Sequence, residues 1–460
     1  MPPTTPAAPA ARNKPLKAKS RMDTRRVWQL LELVIRGHQT ENSALMETSL
    51  DEATAVVVVA SVSELTAALT DEAIPHISLS STGSPYHIGT LHLRRQVCLS
   101  ADVTGGVPPV VLKGRVILAA HATLQGLQVR YERAGPQPTV HVTRTGNARL
   151  ATRALLERCT VVGGAGAPAL RLDDMARVSS CVIDGAGAPV GVLIAVGASS
   201  NVEGFTVEGC TVRGCVTGIE LRGAPAMCQI LSNEIFDCRG SGVLCSAGTL
   251  ATLRGNNILR SGGAGIEVVG GDSRPRVVAN TVHDGRGVGV LVHGGAAGDF
   301  EENDIRRNQS SGVELNGTAA ALLLRSNQIC DSRSGVGVLV HGGVGGGVGA
   351  GASSCVVGGG ASCGGGAGGT SSSAELAISE ILIASNDIRG HPISGIEIGG
   401  GAHARLDSNS IHHCGQVTWV PHAGHVTHRG VAKYALVANC TGWIADCGWI
   451  RPDPWQQDLR

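Results

Sequence analysis

The chain has 460 residues, with 38 basic against 37 acidic side chains and a net charge of +1. Global charge gives no footing for DNA, RNA or an anionic membrane surface as a partner. Glycine makes up 65 residues while 42% of the chain is hydrophobic, too apolar for a disordered chain, and no every-third glycine period suggests collagen. Only five Trp, three Tyr and three Phe occur, so a core must be built from Val, Ile, Leu and Ala.

In chain order, residues 1–22 carry Arg12, Lys14, Lys17, Lys19 and Arg21, with no acid and no apolar stretch of the secretory kind. They read as a disordered basic tail. The expected location is cytoplasmic, with import into an organelle as the alternative. Residues 23–73 read as an N-terminal helix and a cap. Val27, Leu30, Leu31, Val34 and Ile35 follow the i, i+3, i+4, i+7, i+8 spacing of an amphipathic helix over Asp23–Gly37. Ser61–Leu69 reads as a short Ser-capped helix, a lid on the first turn of the repeat region. No apolar run is long enough to span a membrane.

Residues 74–447 repeat. Asn-x-Ile/Val recurs at Asn233, Asn256, Asn280, Asn303, Asn327, Asn386 and Asn409, with steps of 23, 24, 23, 24, 59 and 23. Gly-Ile/Val-x-aliphatic runs in phase from Gly218, Gly242, Gly265, Gly289, Gly312, Gly337 and Gly395. The long step contains a glycine-rich loop, residues 342–373, pushed out of one turn. Upstream, Cys159, Cys181 and Cys210 take the asparagine place. Two motifs in phase over seven units predict an all-β solenoid, a single right-handed parallel β-helix with about 14 coils of 22–25 residues. Stacked rungs ~4.8 Å apart would make a rod of roughly 70 Å. The asparagines are expected to supply a left-handed turn and an amide ladder, and the motif glycines to relieve the same kind of turn. Residues 448–460 read as a C-terminal tail, and Trp419, Trp443, Trp449 and Trp455 as part of a C-terminal plug. The 14 cysteines form no CxxC pair and are expected as buried or half-buried free thiols.

The Asn-x-Ile and Gly-Ile-x-Val rungs resemble the right-handed parallel β-helix repeats of the pectate-lyase-like superfold and its carbohydrate-binding/sugar-hydrolase (CASH) domains. Gly395-Ile-Glu-Ile-Gly-Gly with Asn409-Ser-Ile-His-His is similar to the β-helical half of F-box ubiquitin-ligase adaptors, and NosD-type periplasmic proteins share the repeat. The resemblance implies the fold and leaves lyases, hydrolases and binding scaffolds open. The Leu-Pro opening of an F-box is missing here.

The x of Gly-Ile-x-Val alternates Glu220, Leu244, Glu267, Leu291, Glu314, Leu339 and Glu397. These glutamates are expected outward, two rungs or about 9.6 Å apart, as a solvated stripe. His293 and His341 recur in register two coils apart, too distant to share a metal. Asp173-Asp174 is the one adjacent Asp pair and shows no accompanying His or Lys motif. His412, His413, His422, His425 and His428 near Cys414 match no strong zinc pattern, and no Lys lies between 113 and 433 to serve a phosphate loop. The expectation is a non-catalytic β-helix scaffold that binds a protein partner. A substrate receptor in a ubiquitin-ligase-like complex is its sharper form. The alternative is a carbohydrate-binding or carbohydrate-active protein. Glu220, Glu267, Glu314, Glu397, Val27 and Leu31 are the candidate partner contacts; no catalytic residue, cofactor or metal is expected.

Overall fold

The computed structural model describes residues 56–101, 109–119, 121–131, 135–143, 153–196, 204–317, 322–342, 381–399, 402–414, 425–429 and 437–438. Three short strands make a typical coil, and each pairs in parallel with its counterparts in the coils before and after. The first strands form one 15-stranded parallel sheet from Val56–Val59 to His425–Arg429. The second and third strands make two further stacks. These join in the early coils, where the single long strand Val111–Ala119 pairs with both Gln128–Arg130 and Val140–Thr143. The protein contains a right-handed parallel β-solenoid of about 12 turns. The count is slightly below the fourteen coils expected from sequence. In the early coils Tyr86–Leu93 and Val111–Ala119 each do the work of two strands.

Period-2 patterning decides which side chains point inward. In the second stack, Val212, Ile235, Ile258, Val282, Ile305 and Ile329 align rung on rung with at most 1% exposure. Such uniform aliphatic columns fill the narrow interior without aromatic bulk.

The asparagine row is a continuous buried ladder. Asn280 Nδ2 donates to Asn303 Oδ1 at 3.0 Å and to Leu253 O at 3.0 Å, while Asn280 Oδ1 accepts from the Asn256 backbone N–H and Nδ2, both at 2.9 Å. The same pattern links Asn233 to Asn256, Asn303 to Asn327, Asn327 to Asn386 and Asn386 to Asn409. Cysteine extends it toward the N-terminus. The Cys159 and Cys181 backbone N–H groups point to the sulfurs of Cys181 and Cys210 at 3.4 Å, and the Cys210 N–H bonds Asn233 Oδ1 at 2.9 Å.

Two sequence expectations need correction. The left-handed turn is made by the residue before each asparagine, as at Ser232 (φ 52°), Ala279 (φ 53°) and Glu302 (φ 57°). Asparagine stands there because its amide can reach inward to bond the corner. The motif glycines relieve no turn either. A Cβ on Gly265 would lie 2.2 Å from Val282 Cγ1 and 2.7 Å from Gly289 O, so glycine is required for close packing of backbone on the neighbouring rung.

The helix Val62–Thr70 matches the expected Ser-capped helix, but the strand before it, Val56–Val59, already pairs with His76–Leu79, so the stack begins ahead of residue 74. Ser61 caps it by accepting from the Glu64 N–H at 3.2 Å, and the Glu64 carboxylate returns to the Ala60 N–H at 2.7 Å. At its far end Arg95 donates to the carbonyls of Leu69, Ala68 and Asp71, groups that a helix C-terminus leaves unpaired. Tyr86, 1% exposed, ties the first coil to its neighbour by donating to Val59 O and Ser80 O, both at 2.8 Å. The expected helix over residues 23–37, with Val27 and Leu31, lies outside the described residues, as do almost all of the 342–373 loop and the four C-terminal tryptophans.

Candidate functional site

Outward positions of the third strands form registered columns. The glutamate column is confirmed: Glu220, Leu244, Glu267, Leu291, Glu314, Leu339 and Glu397 are successive register partners. It is not a plain solvated stripe. Glu220 is buried, 5% exposed, and accepts from Arg222 Nε. Glu267 is half-buried; one oxygen accepts from Ser241 Oγ and the other lies 3.1 Å from His293 Nε2. The His293 and Ser241 hydrogen bonds together outweigh burial and hold the Glu267 carboxyl below the usual carboxylate range. Period-2 reading gave the direction of these glutamates. Partners one rung away, 26 residues off in sequence, were beyond it. Glu314 and Glu397 are half-buried on the same face. His293 and His341 sit two coils apart through Asn316, as expected.

The same column, followed toward the N-terminus, changes character. Glu220 follows Leu193, Arg171, His141, Ile117 and His92. Here two coils meet in a cluster missed from sequence. His141 Nε2 lies 2.8 Å from Asp173 Oδ2, and Arg171 Nε donates to Asp173 at 2.9 Å. Burial alone would raise the Asp173 carboxyl; the His141 and Arg171 hydrogen bonds overcome it and hold it below the usual range. The absence of a neighbouring His motif beside Asp173-Asp174 was misleading, because His141 arrives from the preceding coil, 32 residues earlier.

The cluster borders a stretch of sequence rich in basic residues. Residues 73–156 contain nine Lys or Arg and five His against two acids, Asp102 and Glu132. Register places His87, Lys113 and Arg130 in one exposed column. Arg115, on the same face of Val111–Ala119, bonds Pro138 O at 3.0 Å and lies over the Tyr131 ring at 6.0 Å. A net charge of +1 conceals this segregation. A sliding count of charge along the sequence would have exposed it.

Farther along, His412 Nε2 reaches Asp387 at 3.0 Å and its Nδ1 meets His413 Nδ1 at 2.7 Å. No group of three or more metal-ligating side chains occurs among the described residues, and no helix among them is long and apolar enough to cross a membrane.

The family described as "Right handed beta helix region" matches residues 191–348. No curated protein matches the chain. Among solved structures, the catalytic unit of a GH87 α-1,3-glucanase from Streptomyces thermodiastaticus is 13% identical at a TM-score of 0.50, covering 78% of this chain and 65% of that one. The mannuronan C-5 epimerase AlgE4 A-module from Azotobacter vinelandii is 12% identical at a TM-score of 0.42, covering 74% of this chain and 90% of that one. At such identities the likeness shows the fold alone. The comparisons lend no support to the F-box adaptor similarity, to the ubiquitin-ligase role or to a protein partner.

Proposed function

We propose that the protein binds an acidic polysaccharide along the basic face of its early coils, with the His141–Asp173–Arg171 cluster at its C-terminal edge. The observation that carries this reading is the mixture of groups on one extended parallel-sheet surface. Lys113, Arg115 and Arg130 complement carboxylates or sulfates, while Asp173, His141 and Arg171 offer acceptors and donors for sugar hydroxyls. Nucleic acid fits this face less well, since single-strand binding uses a series of aromatic platforms and the face carries Tyr131 under Arg115. The carbohydrate reading is the alternative drawn from the sequence. Neither the structure nor the comparisons offer an observation in favour of the protein-binding scaffold.

The test is titration of the full chain with polygalacturonate, a neutral β-glucan and single-stranded DNA. Polygalacturonate is expected to bind, weakening as salt rises from about 0.05 M to about 0.2 M, and Lys113→Gln with Arg171→Gln is expected to cost at least tenfold in affinity. Equal binding of the neutral glucan, tighter binding of DNA, or no binding of polygalacturonate would overturn the reading. Sugar release measured in the same samples reports whether the imidazole of His141, oriented by Asp173, also does chemistry.

A further inference from the structure

The corner between second and third strands carries two parallel charged columns. One occupies the left-handed turn positions: Asp237 (φ 55°), Arg260 (φ 53°), Asp284 (φ 55°), Arg307 (φ 52°) and Asp331 (φ 57°). It largely neutralises itself. Arg260 donates to both oxygens of Asp237 at 2.7 and 3.2 Å, and Arg307 to both of Asp284 at 3.0 and 2.8 Å. These bonds hold both aspartates below the usual carboxylate range.

The second column, two residues farther on, is different. Its register follows from the backbone: the N–H groups of Arg239, Gly262, Arg286, Gln309 and Arg333 each bond a carbonyl of the preceding coil. Arginine therefore appears on every second rung, with a neutral residue between. All three arginines are exposed. Arg239 donates to Gly187 O at 3.3 Å, Arg333 stands 3.9 Å from Asp284 (a carboxylate already held by Arg307), and Arg286 has no partner among the described residues. These ties occupy the row only in part: Arg239 and Arg333 each make one long contact, and the adjoining Asp–Arg ladder already links the coils.

We infer that Arg239, Arg286 and Arg333 form a rail for a linear glycan carrying one anionic group per disaccharide. Two rungs span about 9.6 Å, comparable to the rise of an extended disaccharide. A polymer charged on every sugar would set alternate charges against Gly262 and Gln309, which offer them no cation. Guanidinium forks suit carboxylate or sulfate groups. The inference rests on the acidic-glycan reading above but concerns a different surface and a different charge spacing.

The experiment titrates the full chain with hyaluronan, one carboxylate per disaccharide, and with polygalacturonate, one per sugar. The expected result is that Arg239→Gln/Arg286→Gln/Arg333→Gln loses at least tenfold in hyaluronan affinity and flattens its salt dependence, while polygalacturonate affinity changes less than threefold. Arg286→Lys should keep most of the binding, and Arg260→Gln, on the neutralised ladder, should leave it unchanged. Polygalacturonate binding without hyaluronan binding would overturn this inference alone. So would a triple variant that binds hyaluronan like the parent. Failure of both polymers would overturn the acidic-glycan reading itself.

Discussion

The early coils (residues 76–143) and the central coils (residues 204–317) share one fold and solve it differently. In the central coils Cys210 and then an asparagine on every later rung stand at the first-to-second strand corner, and a tight glycine stands before each third strand. The early coils place Leu127, 1% exposed, at that corner and use long strands in place of two short ones. Charge separates them too, since the early coils gather the basic face while central arginines and aspartates pair rung by rung. Regularity supplies stability through ladders, and departure from it frees outward positions to gather charge of one sign.

The asparagine ladder offers the sharpest way to break this contrast. Asn280→Ala removes the acceptor of two donors on Asn256 and the donor to Leu253 O. Buried groups left without partners predict a loss of about 3 kcal/mol, read as a lower urea midpoint. Cys181→Ala, in the transitional stretch of the same column, removes a weak sulfur acceptor from the Cys159 N–H and a weak thiol donor to the Ser179 and Leu156 carbonyls and should cost about 1 kcal/mol. Equal losses would mean that the amide ladder adds nothing to the column.

Glycine supplies a second comparison of smaller effect. Gly265→Ala forces a Cβ against Val282 and the Gly289 carbonyl and should cost about 2 kcal/mol through overpacking. Gly89, in the early coils, has φ 59° and open space around its missing Cβ. Its change to Ala should cost about 1 kcal/mol, from backbone strain alone. Trimming Val282 to Ala should rescue part of the first loss and none of the second.

The smallest expected effect is a response to acid confined to one end of the described stack. His391 is 1% exposed, with Nε2 3.0 Å from Ile329 O and Nδ1 unpartnered. Burial lowers its pKa from 6.5, against the opposing pull of Asp331. The unfolded chain therefore binds the proton first, and this group's contribution to stability falls as pH drops through about 6.5 toward the lower folded value. Protection factors in residues 387–398, taken relative to the intrinsic exchange rate at each pH, should fall between about pH 7.5 and about pH 5.5, while those in the coil of Asn280 are unaffected. His391→Asn, matching Asn308 in the same column, should remove the response; an undiminished response would locate it elsewhere.

Repetition made the fold legible. A step of 23 or 24 residues in two motifs implies stacked coils, because in-register rungs must return each position to its own column. The aliphatic columns, the asparagine ladder with its cysteine extension, the Ser61 cap and the alternating glutamate column were all readable on that basis. The candidate face was not. His141 and Asp173 lie 32 residues apart, in coils where the period is irregular. Their meeting depends on loop lengths that no repeat announces.

By itself, then, the sequence determined the coil, its period, the identity of each inward column and the direction in which every x of Gly-Ile-x-Val points, because strand alternation and rung stacking are local rules. Only the tertiary structure decided what those outward side chains meet. Glu267 receives Ser241 and His293, Asp173 receives His141 and Arg171, and Arg286 receives no partner among the described residues. The physical reason is that contacts along a solenoid are made between coils. Whether an outward charge is paired or available is settled by the residue one rung away, which chain position alone does not reveal.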